Sequence, residues 1–137
     1  MKRLLLLLPL LAAFPAAAQP VRDIAVTMGD MSFTPDHLTV KAGEKVRFVL
    51  RNTSAIDHDF TLGDAATQAA HRARMAEGHG HGGHGQHGGH DSNAVMVPAG
   101  GTAELVWTFD RAGELEFDCN VPGHYESGMR GQLTVTR

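Results

Sequence analysis

Cysteine is almost missing from this chain of 137 residues: there is one, Cys119. A lone cysteine cannot close a disulfide within its own chain. Positive charge is also short, with Lys+Arg 12 against Asp+Glu 15 and a formal net charge of −3. That balance argues against a nucleic-acid partner, because nucleic-acid-binding domains usually carry a basic stripe. Long apolar runs are absent too. Leu4 to Phe14 is the longest, and it is too short to cross a bilayer. No membrane span is expected.

That apolar run has another meaning. Lys2 and Arg3 precede it, and Ala16-Ala17-Ala18 follows as an A-x-A cleavage site. The pattern predicts a secretory signal peptide over residues 1–18. The segment holds no Cys, which argues against a lipid anchor. The mature chain, residues 19–137, is more acidic still and suits one domain. A periplasmic location is expected. In such an oxidising compartment an unpaired Cys implies an intermolecular bond, a free thiol or a bound metal.

Most of the mature sequence alternates with period two, the mark of half-buried strands. Asp23 to Met28, His37 to Lys41, Glu44 to Arg51 and His58 to Leu62 read this way. Ala94 to Val97, Thr102 to Phe109, Glu114 to Cys119 and Gln132 to Thr136 repeat the style. Gly and Pro turns separate them. The prediction is an all-β fold, an antiparallel Greek-key sandwich. One segment departs: Asp64 to Glu77 is rich in Ala, Arg, Gln and Met, and predicts a short inserted helix. Gly78 to Asp91 follows, with Gly and His and no apolar residue. It has nothing to bury and is expected to be a mobile loop.

Near the C-terminus the chain reads CNVPGHYESGM, with four residues between Cys119 and His124 and four between His124 and Met129. A thiolate, an imidazole and a thioether on one short loop suit copper. Cys and His are the strong donors of a trigonal His2Cys site, and Met is its long, weak axial ligand. The second His is expected to be His58, in NTSAIDHDF, at the start of a strand. His37, in a Pro-Asp turn, and His71, on the helix, read as surface residues. Met28, Met31, Met75 and Met96 read mainly as packing residues. Asn52-Thr53-Ser54 matches a glycosylation acceptor but is given little weight behind a bacterial-looking signal.

The MSFTPDHLTVKAGEKVRFVLRN stretch, the NTSAIDHDF region and the FDCNVPGHYESGM loop together resemble the cupredoxins, the plastocyanin/azurin family. The resemblance covers essentially the whole mature chain. It implies one type 1 copper held by His58, Cys119 and His124, with Met129 axial. The Cys-to-His spacing is nearer the rusticyanin and auracyanin branch than plastocyanin. Asp59 stands where plastocyanin and azurin have Asn, which affects the local hydrogen bonds.

His79, His81, His84, His87 and His90 form a second set of candidate ligands, for additional Cu(II) or Zn(II). A cupredoxin with such a tract resembles the periplasmic copper-tolerance cupredoxins. That implies a monomeric, non-enzymatic copper-binding protein, with copper ions as its partners. The alternative is a soluble electron carrier with a redox or copper-transfer partner near His124. A copper enzyme would need further metal centres, and no His-x-His pair lies on a predicted strand.

Overall fold

The computed structural model describes residues 20–78 and 93–137. The signal segment lies outside them, as do His79, His81, His84, His87 and His90. The described residues form nine strands and one helix. In chain order these are β1 (Val21–Met28), β2 (Phe33–Thr34), β3 (His37–Lys41), β4 (Lys45–Asn52) and β5 (His58–Gly63). Then come α1 (Ala65–Ala76), β6 (Ala94–Val97), β7 (Thr102–Thr108), β8 (Gly113–Asp118) and β9 (Arg130–Thr136). No helix among them is long and apolar enough to cross a membrane.

Two sheets make the sandwich, ordered β2-β1-β4-β7 and β3-β9-β8-β5-β6. The pairings are not all antiparallel, as the sequence suggested. β1 runs parallel to β4, and β3 parallel to β9. The cause is topological: β3 joins the opposite sheet, so the chain re-enters the first sheet in its original direction. Alternation survives this. In β4, Val46, Phe48 and Leu50 are buried, while Lys45 and Arg51 are exposed.

The core between the sheets is aromatic. Phe60 stacks on Phe117 at 5.5 Å and meets Phe33 edge-on at 5.8 Å, with Phe48 5.4 Å away. Such offset and edge-to-face contacts add to what area burial alone contributes. They fix the adjacent strands β5 and β8, whose ends carry the chemistry described below.

Strand β5 does not alternate in burial: His58, Asp59, Phe60, Thr61 and Leu62 are all covered. Its polar outer face is roofed by α1. The helix begins where predicted, with Asp64 accepting a hydrogen bond from the Thr67 amide at 2.8 Å as N-cap. Its buried residues are Gln68 and His71. His71 is therefore not the surface residue that its helical context suggested.

Gly131 lies opposite Phe117 on β9. A Cβ there would overlap the Phe117 ring. Neither rigid backbone nor a packed core ring yields cheaply, so Gly131→Ala is expected to destabilise the fold by about 1–3 kcal/mol. Thermal unfolding of the metal-free protein checks this, and an unchanged midpoint would contradict the packing.

Candidate metal centre

The site sits where β5 begins and β8 ends. Cys119 directly follows β8, and Met129 directly precedes β9. The loop between them is closed by backbone bonds. The Cys119 amide donates to the Met129 carbonyl at 3.1 Å, and the Met129 amide to the His124 carbonyl at 3.0 Å. Gly123 and Gly128 adopt φ of 88° and 96°, left-handed conformations that a side chain would strain. The loop thus turns twice within a few residues and returns Met129 beside Cys119. Met129 is fully buried.

Sequence reasoning named His58, Cys119 and His124, and the fold brings all three together. One donor atom from each lies within 4.8 Å of the others. His124 Nδ1 is 3.3 Å from Cys119 Sγ, His58 Nδ1 is 3.8 Å from it, and the two Nδ1 atoms are 3.2 Å apart. His58 and Cys119 are buried, and His124 is half-buried. His37 stays on the surface, paired with Asp36 at 3.0 Å. Met28 is core, while Met31 is 37% exposed in a bend and does not pack.

The orientation of His58 depends on residues that the sequence reading weighed only as a glycosylation acceptor. Its Nε2 is 2.9 Å from Ser54 Oγ, which leaves Nδ1 facing Cys119. Ser54 Oγ in turn donates to Asn52 Oδ1 at 2.8 Å. Holding the remote nitrogen of an imidazole fixes its tautomer and ring plane. Asn52, the would-be glycosylation site, is buried and donates through Nδ2 to the Ile56 carbonyl at 2.7 Å. It is a structural residue of this loop.

The electrostatics suit a cation. Burial holds His58 below the usual imidazole range, helped by His124, and burial does the same for His124. Both rings are therefore neutral at pH 7, the form that ligates metal. Burial pushes the Cys119 thiol up to about 11, although the amides of Asp59 and Val121 counteract this. The Asp59 amide lies 3.3 Å from Sγ. A soft sulfur, buried and lined by amide donors, with two neutral imidazoles converging on it, fits a soft or borderline metal. A divalent cation bound there must displace the thiol proton.

These features define a class. The chain belongs to the plastocyanin/azurin family of copper binding proteins, which matches residues 21–136. Within that family it is 48% identical to the copper-resistant cuproprotein CopI of Pseudomonas aeruginosa, over 87% of this chain and 78% of that protein. It is 43% identical to CopI of Rubrivivax gelatinosus, over 87% and 69% of the two chains. In fold it is similar to auracyanin B, with a TM-score of 0.69 at 22% identity, covering 89% of this chain and 94% of the other.

Beside Cys119, Asp118 is fully buried, and neither carboxylate oxygen has a hydrogen-bond partner among the described residues. Burial pushes its carboxyl up to about 7, with Glu116 adding to the rise and Arg72 and Arg130 opposing it. The folded protein thus keeps a proton that the unfolded chain releases near pH 3.8. Stability should fall as pH rises from about 4 to about 7 and level off above that. Asp118→Asn is expected to remove this loss. The metal-free variant should gain about 2–3 kcal/mol at pH 8, allowing for screening, and much less at pH 5. Denaturant unfolding at both pH values tests it; equal gains at both would mean that ionisation is not the cause.

Proposed function

We propose that this protein is an exported copper-resistance protein of the periplasm. His58, Cys119 and His124 would hold one copper ion, and Met129 would offer a fourth, weak thioether donor. The observation that carries the reading is the convergence of three soft or borderline donors at a buried point of a copper-binding fold. The name of the CopI relatives supports resistance as the role. Copper at such a site supplies a one-electron Cu(II)/Cu(I) couple. The protein's own part is to keep both imidazoles neutral, accept loss of the Cys119 proton, and close the loop over the donors. The protein acts as a monomer and is not an enzyme.

In this reading the five tract histidines, His79, His81, His84, His87 and His90, capture further Cu(II) or Zn(II). Closely spaced imidazoles on a glycine-rich chain bind such ions with little selectivity. A second reading, electron carriage, is favoured by one observation. His124 is only half-buried and stands beside exposed Pro122 and Gly123, so its ring lies at the surface where a redox or copper-transfer partner could meet it.

Two experiments test this. Cys119→Ser is expected to abolish the intense visible charge-transfer band, since that band arises from the copper–thiolate bond. A coloured variant would remove Cys119 from the ligand set. Deleting residues 78–91 is expected to leave that band unchanged, remove additional Cu(II) equivalents at pH 7.5, and lower growth on graded copper. The extra equivalents in the intact protein should fade as pH falls through about 6.5, where imidazoles protonate. Equal metal stoichiometry with and without the tract would exclude its role in capture. A respiratory defect without copper sensitivity in a gene deletion would favour the electron carrier.

A further inference from the structure

The surface beside His124 has a charge of its own. Val121, Pro122 and Gly123 carry none, and they lead to the half-buried His124 ring. Tyr125 comes next, and two guanidiniums gather on it. Arg72 of α1 stands 3.6 Å over the centre of the ring. Arg130, at the start of β9, stands 5.3 Å from it, with Nη1 3.4 Å from the Tyr125 hydroxyl. Two cations thus lie on the residue next to a candidate ligand, in a chain whose formal net charge is −3.

The fold places both cations. Arg130 opens β9 opposite Asp118. Arg72 is set by the helix. One turn earlier, Gln68 Nε2 donates to the carbonyls of Thr61 at 2.8 Å and Glu116 at 3.1 Å, while its oxygen accepts from Asn120 at 2.9 Å. Arg72 then donates to Asn120 Oδ1 at 3.0 Å. A guanidinium stacked on a ring and bonded at one edge has little freedom left to lose on meeting a ligand. Neither charge is neutralised by an acid. Arg22 pairs with Glu44 and Arg47 with Asp23, but no ion pair among the described residues includes Arg72 or Arg130. Asp118 does not occupy them, since neither of its oxygens has a hydrogen-bond partner among the described residues. Glu126, the exposed acid of the same loop, pairs with neither.

We propose that Arg72 and Arg130, held on Tyr125, form a docking surface for an acidic protein, whose carboxylates they meet while it faces His124. The proposal rests on the reading that a redox or copper-transfer partner meets this protein at His124. A forked guanidinium suits a carboxylate, which it holds with two parallel bonds. Charges at the rim of an uncharged contact patch set the encounter rate and its salt dependence more than the final affinity. The net negative charge repels an acidic partner at long range, and a local pair of cations reverses the sign at this face. A lipid surface calls for a broader basic cluster, of about 4–8 residues. Two guanidiniums anchored on one ring suit discrete acidic side chains.

The test uses the full chain with one copper per molecule, at a pH of about 8, where unperturbed imidazoles are neutral. Oxidation of the Cu(I) form by hexacyanoferrate(III) passes one electron from copper to iron and reports how readily an anion reaches the His124 face. Its rate is expected to fall as ionic strength rises from about 0.01 to about 0.15 M, against the sign of the net charge. With tris(phenanthroline)cobalt(III), a cation, the rate should rise instead. Substituting Arg72→Gln and Arg130→Gln together is expected to slow the hexacyanoferrate reaction roughly 10-fold and to invert its salt dependence. The charge-transfer band should stay. Lys45→Gln, at the far end of β4, removes the same charge elsewhere and should leave the salt dependence as it is. A decapeptide of glutamate should compete with hexacyanoferrate in the wild type and not in the double variant. Arg130→Gln alone serves if the double variant does not fold. Peptide competition and salt dependence both unchanged by the arginine substitutions would overturn the proposal. Binding to phosphatidylglycerol vesicles without binding to the peptide would also overturn it and assign the surface to a membrane. Peptide binding that the arginines control, with electron-transfer rates that they do not, would instead overturn the reading that partners meet His124.

Discussion

The sulfur of Cys119 has to sit buried, at a place where two neutral imidazoles reach it, and most of the architecture follows from that constraint. Burial alone makes a thiol resist ionisation, and the rise to about 11 shows that it does so here. The surrounding amides and the missing charge on the two histidines leave a pocket in which a cation is the most favourable neighbour. The aromatic core beneath, Phe60 against Phe117, keeps β5 and β8 in register, so that His58 and Cys119 meet at one end of the second sheet.

Rigidity comes from polar groups. On one side, Ser54 and Asn52 hold the far edge of His58. On the other, α1 lays Gln68, His71 and Arg72 against Asp59 and Asn120. These buried groups are extensively hydrogen-bonded, the condition under which a polar network in a dry environment stiffens a site instead of destabilising it. Asp118 departs from this among the described residues. Its carboxyl is accommodated by a raised pKa, and the charges of Arg72 and Arg130 ease but do not remove the cost.

The inserted helix therefore has a double relation to the site. It roofs the outer face of β5, which would otherwise expose Asp59 and Thr61. It also runs, through its C-cap Glu77, directly toward the histidine tract in sequence.

The sequence by itself indicated eight of the nine described strands, a helix starting near Asp64, and three side chains, His58, Cys119 and His124, that the fold brings together. Period-two alternation places side chains on two faces whatever the neighbours are, and the candidate donors of the loop lie close enough in the chain for spacing alone to mark them. His58 was legible as well, because it opens a strand of the right pattern. Only the tertiary structure decided which faces of β5 and α1 are covered. His71 and Asp59 look like ordinary polar residues on a helix and a strand, and their meeting depends on packing between segments separated in sequence. The parallel pairings of β1 with β4 and β3 with β9 are of the same kind. Alternation reports which face a residue takes, but the direction of a neighbouring strand is set by where the chain crosses between sheets.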